Sequence, residues 1–216
     1  MAIKSASSIT NRRDRTTGNE ARRLQLIEAT IESIAIYGFN KTTLNTVTQI
    51  ANLSHGVVNF HFKSKNLLLL ETMKFLVEEH LNHWLTGLDK AADSAEARLK
   101  ALVTTDFDEH IASPKRLAVW FAYWGEVNNR PAYREIADSK DRQRRNVIKS
   151  LCRELTQCSD CEPVDTEVFS TNLEAIIDGL WLQILLAPNE MTTRKAKSNC
   201  LSFLASTFPK HFQKNI

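Results

Sequence analysis

Residues 42–65 read TTLNTVTQIANLSHGVVNFHFKSK, and the rest of the chain is interpreted from this stretch. Thr43 can cap a short helix that has apolar residues on one face. Asn52 tolerates the left-handed conformation of a tight turn, and Ser54 can cap a second short helix that ends near Phe62. The pattern predicts a helix-turn-helix, whose second helix begins with small or polar residues and can enter a major groove of DNA.

Positive charge is concentrated around this motif. Residues 1–65 contain 9 Lys and Arg against 4 Asp and Glu, whereas the remaining 151 residues contain 19 against 21. A basic module attached to a slightly acidic body is the distribution expected when one end neutralises phosphates. Two helices joined by a short turn also occur in ordinary helical packing. The charge asymmetry favours the DNA-binding interpretation.

Several segments from the first short helix onwards match a known family in type and spacing. They are Thr43, Ile50-Ala51, Ser54-His55-Gly56 and Phe62-Lys63-Ser64-Lys65-Asn66-Leu67. These segments resemble the TetR family of bacterial one-component regulators. Asn52-Leu53 stands where Gly-Val is usual in that family, and Asn59 stands where a phosphate-binding Tyr is common. The resemblance implies a regulator that binds double-stranded operator DNA.

The motif and the resemblance together predict which side chains face DNA. The predicted DNA-binding residues are Thr43, Asn45, Ser54, His55, Gly56, Val57, Asn59, Phe60, His61 and Lys65. His55, Val57 and Phe60 are expected at base edges. Phosphate contacts are expected from Thr43, Ser54, Asn59, His61 and Lys65.

Apolar residues recur at helical spacing along the chain, which predicts an all-α fold. Residues 1–19 are polar and basic and are predicted to form a flexible N-terminal arm. Residues 20–66 are predicted to form a three-helix DNA-binding domain, and residues 67–216 a larger helical domain for ligand binding and dimerisation. Helices of the larger domain are expected near 94–112, 115–128, 132–156, 166–186 and 193–208, separated at Pro114, Pro131, Pro163 and Pro188.

The apolar segment Leu173–Leu186 predicts the dimer interface. It is apolar on more than one face, so its second face is expected to meet another chain. Residues 193–208 add further apolar side chains, and two such helices from each subunit would form a four-helix interface. A two-fold dimer would address two DNA half-sites. The alternative is that both helices are internal core.

Four segments of the larger helical domain resemble one particular subgroup of the TetR family. They are Asp106–Glu109, Trp120–Trp124, Arg130–Arg134 and Ile177–Leu182. These segments look like the BetI-type choline-responsive repressors of glycine betaine synthesis, and the similarity runs from about Arg22 to Pro209. The resemblance implies a homodimeric repressor of choline-oxidation genes that loosens on DNA when choline is present. Related repressors with the same C-terminal pattern sense other ligands, so another effector and pathway remain an alternative.

The residues of these segments could also form an aromatic cage for a cation. Trp120 and Trp124 lie four residues apart on one helix face, with acidic residues in neighbouring segments, so a quaternary ammonium could meet both rings and a carboxylate. The candidate ligand-binding residues are Trp84, Asp106, Glu109, Trp120, Tyr123, Trp124 and Trp181. Aromatic residues at this spacing also occur as ordinary core packing.

No enzyme signature, cofactor site or membrane span is predicted. The chain has six glycines without a phosphate-binding loop, and it has no Ser-His-Asp signature. His80, His83 and His110 could meet at a metal, although separate structural roles fit them as well. Cys158 and Cys161 form a C-x-x-C that could hold zinc or a redox disulfide. A second ligand pair is missing, which favours reduced, unligated thiols. No apolar run approaches the roughly 18 residues of a span, and a cytoplasmic location is expected.

Overall fold

The computed structural model describes residues 6–157 and 163–212. This part of the chain contains the helices α1 (Ala6–Tyr37), α2 (Leu44–Ala51), α3 (His55–Phe62), α4 (Lys65–Lys90), α5 (Ala95–Asp106), α6 (Pro114–Glu126), α7 (Pro131–Thr156), α8 (Thr166–Leu186) and α9 (Thr193–Thr207). No strand occurs among these residues, and the predicted all-α fold is confirmed. None of these helices combines the length and apolar character of a membrane span.

The helix-turn-helix forms at α2 and α3, where it was predicted. The Thr43 hydroxyl accepts a hydrogen bond from the Thr46 N–H (3.1 Å), and the Thr46 hydroxyl accepts one from the Thr43 N–H (2.9 Å). This reciprocal capping box satisfies two donors at the start of α2. Asn52 ends α2 with φ 51° and ψ 44°, the predicted left-handed conformation. Ser54 occupies the N-cap of α3, but its side chain makes no capping hydrogen bond to the described residues.

Helix α1 begins at Ala6, although a flexible arm was predicted for residues 1–19 and a helix from Glu20 onwards. The polar composition of residues 6–19 indicated that they bury little apolar surface, which does not by itself prevent a helix. No proline lies between Ala6 and Tyr37, and ordinary polar residues cost at most about 0.7 kcal/mol each in a helix. Gly38 ends the helix with φ 79°, which glycine adopts without strain.

The chain divides into two compact units, Met1–Phe75 and Leu76–Ile216. The first unit ends inside α4, beyond the predicted boundary at residue 66. The first turns of α4 belong to this unit, where Glu71 forms an ion pair with Arg23 of α1. The buried side chains of this unit include Leu26, Ile27, Ile31, Val47, Ala51, Val58, Phe62, Leu68 and Leu69.

The second unit contains the rest of α4 and helices α5–α9. Its buried side chains include Trp84, Leu99, Leu102, Val103, Tyr123, Ile148, Leu173, Ile177 and Leu204. Helix α4 approaches α5 closely at Gly87, where an added Cβ would lie 2.5 Å from the Thr105 methyl group. A side chain at this position would force the Thr105 side chain or one of the helices to shift, and glycine avoids this clash.

The helices of the second unit follow the predicted breaks with one difference. Pro114 and Pro131 are the first residues of α6 and α7, and Pro163 and Pro188 lie in the connections on either side of α8. Helix α5 ends at Asp106, before the predicted end at 112. The next N–H groups bond to carbonyls three residues back, at 3.2–3.3 Å, and this tighter geometry ends the helix.

Candidate DNA interface and small-molecule cavity

Most of the predicted DNA-binding residues are exposed, and six of the ten lie on α3. The exposed members of the predicted set are Thr43, Asn45, Ser54, His55, Gly56, Asn59 and Phe60, and the half-buried members are Val57, His61 and Lys65. Val58 and Phe62 face the opposite way and are buried in the first unit. The burial pattern therefore leaves one continuous face of α3 available for contact with a duplex.

The start of α3 is joined to α2 through two predicted residues. His55 Nε2 lies 3.3 Å from the Asn45 side-chain oxygen, so the two helices share one polar surface. Phe60 is 70% exposed, and its ring meets that of His61 edge to face at 5.0 Å. An exposed aromatic ring at this position is available for apolar contact of the kind that proteins make with a thymine methyl group.

Basic residues of α1 stabilise the end of the recognition helix. Arg23 pairs with Glu71 and places its guanidinium 5.6 Å from the centre of the Phe62 ring. Burial lowers the pKa of His61, and the charges of Arg23 and Arg22 lower it further. The neutral form of His61 is therefore favoured, and a neutral imidazole can donate one N–H to a phosphate oxygen.

A cavity of about 230 Å³ lies in the second unit. Its lining residues come from helices α4 to α8 and are Val77, His80, Leu81, Trp84, Asp106, Trp120, Trp124, Asp141, Arg144, Arg145, Glu174, Ile177, Asp178 and Trp181. On α4, three of these residues follow Val77 by three, four and seven positions, so one face of that helix forms one wall. The cavity combines aromatic rings with ionisable groups.

The aromatic wall is formed by tryptophans of α6 and α8 around His80. The ring of Trp120 lies 6.3 Å from that of Trp181 and 6.4 Å from that of Trp124. The His80 ring lies 5.5 Å from Trp181 and 6.2 Å from Trp120. The interplanar angles of 36° and 51° tilt the Trp120 ring against its two neighbours. Rings of different orientation around one space offer several π-faces to a cation.

Asp106 is the buried centre of the polar wall. One carboxylate oxygen lies 2.8 Å from His80 Nε2, and the other forms an ion pair with Arg144. Its backbone carbonyl accepts a hydrogen bond from the Trp181 indole N–H at 2.8 Å. The buried carboxylate of Asp106 thus links α5 to α4 and α7, and its backbone carbonyl links α5 to α8.

The remaining carboxylates of the cavity lie on α7 and α8. Glu174 binds Arg145 at 2.8 Å and lies 4.0 Å from Arg144. The pKa of Asp178 is raised to about 6, mainly because the carboxyl group is partly desolvated. The charge of Arg144 lowers this pKa, whereas the charges of Glu174, Asp106 and Asp141 raise it further. Desolvation also raises the pKa of Asp141, followed by the charge of Glu174. Both Asp141 and Asp178 keep contact with solvent.

Five of the seven predicted ligand-binding residues line this cavity: Trp84, Asp106, Trp120, Trp124 and Trp181. The other two lie elsewhere. Tyr123 is fully buried and packs edge to face on Tyr133 at 5.2 Å, and Glu109 lines a separate cavity of about 370 Å³ beside the N-termini of α6 and α9. The sequence interpretation missed six lining residues with ionisable side chains: His80, Asp141, Arg144, Arg145, Glu174 and Asp178. The spacing of Glu174, Asp178 and Trp181 along one helix face was the available signal.

The three histidines considered for a metal each contact a different carboxylate. His80 contacts Asp106, His83 Nε2 lies 2.6 Å from Asp108, and His110 Nε2 lies 3.0 Å from Glu79. They do not converge, and the described residues contain no cluster of ligands suited to a metal ion.

The cysteines divide between described and undescribed parts of the chain. Burial raises the pKa of the Cys152 thiol to about 11 and that of Cys200 to about 12, which makes both thiols poor nucleophiles. Cys158 and Cys161 lie outside the described residues.

Relatives of known class match both units of the chain. The model for bacterial regulatory proteins of the tetR family matches residues 26–72, and the model for the C-terminal domain of BetI-type transcriptional repressors matches residues 95–209. The HTH-type transcriptional regulator BetI of Burkholderia thailandensis is 33% identical over 177 residues, which cover 82% of this chain and 88% of the relative. A protein of the same name from Paraburkholderia phymatum is 32% identical over the same length.

Solved structures share the fold. A transcriptional regulator of Pseudomonas aeruginosa PAO1 matches with a TM-score of 0.76 and 26% identity, over 90% of this chain and 95% of the other. A regulator of Saccharomonospora viridis solved in complex with choline matches with a TM-score of 0.74 and 23% identity, over 86% and 95%. The relatives are regulators and not enzymes, as the sequence predicts for this chain. The chain therefore belongs to the TetR family of transcriptional regulators and is a repressor with a BetI-like C-terminal domain.

Proposed function

We propose that this repressor binds its operator as a dimer and is released by a small quaternary ammonium ion, choline or a close relative, in control of glycine betaine synthesis. The observation that carries the proposal is the cavity of the second unit, where four tryptophans and four carboxylates line one space. A quaternary ammonium cannot donate a hydrogen bond, so it is recognised through π-faces and negative charge. Both are present in this cavity. A function in the cytoplasm follows from the operator as partner.

The DNA-binding roles are assigned from the exposed face of α3. His55, Val57 and Phe60 would read base edges, because they stand at the start and on the outer face of the recognition helix. Lys65 and Asn59 would contact phosphates and set the register without reading sequence. Thr43, Ser54 and His61 would add phosphate contacts.

The dimer would form through α8 and α9. Val168, Leu182 and Leu186 are large apolar side chains of α8 that remain exposed, whereas Leu173 and Ile177 of the same helix are buried. A helix that is apolar on both faces requires a second covering surface, which another copy of the chain would supply. Two recognition helices would then lie about 34 Å apart and engage half-sites one turn apart.

Helix α4 would carry the ligand signal. It begins at Lys65, directly after the recognition helix, and its later residues Val77, His80 and Trp84 line the cavity. A ligand that prefers one position of α4 would favour one spacing of the recognition helices. Coupling of about 1–3 kcal/mol would weaken DNA binding 5- to 150-fold, and DNA would weaken ligand binding by the same factor.

The proposal is tested with the full-length chain, a duplex selected from random sequence, and a ligand panel. The panel contains choline, betaine aldehyde, betaine and unrelated small molecules. We expect choline or another cationic member to raise the unfolding temperature and to release the duplex in a mobility-shift titration. Release by an uncharged molecule and not by any ammonium would assign the repressor to another pathway. Failure to select a duplex would contradict the DNA-binding role.

A further inference from the structure

The carboxylates of the cavity outnumber its guanidinium groups. Four carboxylates face two guanidinium groups, Arg144 and Arg145. Arg144 is paired with Asp106, and Arg145 with Glu174. The two positive charges are therefore already neutralised, and the excess negative charge resides on the other two carboxylates.

Asp141 and Asp178 carry this excess. Neither side chain forms a hydrogen bond or an ion pair with a described residue, although both line the cavity. Asp178 lies on α8 three residues before Trp181, so the two side chains share one face of the helix. A cation held on the Trp181 ring would thus lie within the field of Asp178. Asp141 approaches the same space from α7.

We propose that Asp178, assisted by Asp141, is the counter-charge of the bound cation. Asp106 then only positions the cavity wall. Ligand binding releases a proton from the Asp178–Asp141 pair. This inference rests on the proposed function, since it concerns the same cavity and the same class of ligand. It reassigns the role that the sequence interpretation gave to Asp106. It also makes the response depend on pH.

The surroundings of Asp178 determine the direction of this dependence. The groups that face it are His80 on α4, Asp106 on α5, Asp141, Arg144 and Arg145 on α7, and Glu174 on its own helix. Desolvation raises the pKa of Asp178 to about 6, because the neighbouring carboxylates add to this effect and Arg144 only partly opposes it. A bound cation favours the ionised form, which lowers this pKa and expels the proton. Cation affinity should therefore fall as the pH drops through about 6.

Asp106 is a poor counter-charge for geometric reasons. Both of its oxygens are already occupied, by His80 and Arg144, and its side chain has no exposure. A ligand cation would have to displace one of these partners and leave it buried without an acceptor, which is costly. Asp178 requires no such exchange.

The decisive experiment is calorimetric titration of the full-length protein with two matched probes. One is choline, and the other is its uncharged isostere, in which a tert-butyl group replaces the trimethylammonium group. Asp178→Asn should weaken choline about tenfold, which corresponds to about 1.4 kcal/mol, and should leave the isostere unchanged. Asp141→Asn should weaken choline less. Glu167→Gln is the matched control, because Glu167 lies on the same helix, is 68% exposed and pairs with Lys149 outside the cavity.

The proton is counted by repeating the choline titration near pH 6 in two buffers of different ionisation enthalpy. In the wild type the measured heat should differ between buffers, whereas in Asp178→Asn the difference should largely disappear. A structural role of Asp178 would weaken both probes alike and leave the buffer dependence in place, and this result would overturn the inference.

Two outcomes separate this inference from the proposed function. If the wild type binds choline and Asp178→Asn binds it equally well with the same proton release, the counter-charge is wrong and the proposed ligand class stands. If the wild type does not bind choline, the proposed ligand class fails, and the counter-charge fails with it. Both results are read from the same titrations.

Discussion

The DNA-facing surface and the cavity are built from the chain in different ways. The surface comes from one continuous stretch, Thr43–Lys65, whose two short helices are fixed by a capping box and a left-handed turn. The cavity comes from five helices, and its central hydrogen bond joins residues 75 positions apart, Trp181 and Asp106. The surface therefore depends on local structure, whereas the cavity exists only when the second unit is fully packed. Changes at the two places should therefore have different consequences.

The largest effect is expected from removing the aromatic wall. Trp120→Ala combined with Trp124→Ala should abolish release of DNA by the ligand, because two of the π-faces are lost, while ligand-free DNA binding persists. Trp120 is 7% exposed, so its removal should also cost about 3–5 kcal/mol of unfolding free energy. Mobility-shift titration with and without ligand measures the response, and denaturant unfolding measures the cost.

Trp120→Phe is the control for that variant, because it keeps a π-face and most of the volume. It should retain part of the response. If the folded double variant released DNA at the same ligand concentration as the wild type, the ligand would bind outside this cavity.

A second pair of variants divides the DNA surface into two roles. His55→Ala should reduce the preference for the selected duplex over a random one by about 1–3 kcal/mol, because it removes a contact with a base edge. Lys65→Ala should weaken both duplexes alike and lower the salt slope by about one, because it removes one phosphate contact. Titrations of both duplexes at several salt concentrations give both quantities. If both variants weakened the binding of every duplex by the same factor, the assignment of His55 to base edges and Lys65 to phosphates would be wrong.

The local origin of the surface is tested at the capping box. Thr43→Ala should cost about 1 kcal/mol, because the Thr46 N–H loses its acceptor. Amide hydrogen exchange should show the loss in α2 and leave α5 to α8 unchanged. Thr43→Ser keeps the hydroxyl and should behave as wild type. Increased exchange across the cavity helices would mean that the two regions are energetically coupled.

The smallest effect is expected at the ion pair between α1 and α4. Burial raises the pKa of Glu71, but the hydrogen bond and charge of Lys74, together with Arg23, outweigh it and leave the pKa below its ordinary value of 4.5. The pair therefore stabilises the fold above that value, and its contribution is lost as the pH falls through the folded pKa. Glu71→Gln should cost less than about 1 kcal/mol near neutral pH, because Arg23 is 43% exposed. Urea unfolding at neutral and acidic pH checks this against Glu20→Gln, an exposed carboxylate on α1.

Sequence reasoning located the helix-turn-helix because its signals are local. Asn52 and Thr43 act on their immediate neighbours, and their residue types indicate their backbone roles directly. Lys63 is the exception: it adopts φ 48° at the end of α3, a conformation that nothing in a lysine side chain indicates. The start of α1 was missed because composition reports on burial and not on helix formation.

For the cavity, sequence reasoning found the tryptophans and missed most of the charges. Trp120 and Trp124 could be paired by their spacing on one helix. Asp178 could not be assigned to the same space as Asp141, because the contact between α7 and α8 depends on helix rotation that no local pattern specifies. Tyr123 lies in the same run of aromatic residues as Trp120, yet it faces Tyr133 in the core. Its neighbours along the chain could not reveal this difference in direction.

The placement of the tryptophans has a spectroscopic consequence. All four tryptophans of the chain line the cavity, and the unit Met1–Phe75 contains none. Intrinsic indole emission therefore originates from the cavity alone, whatever the recognition helix is doing. The unlabelled protein can thus report the state of its cavity optically while it is bound to DNA.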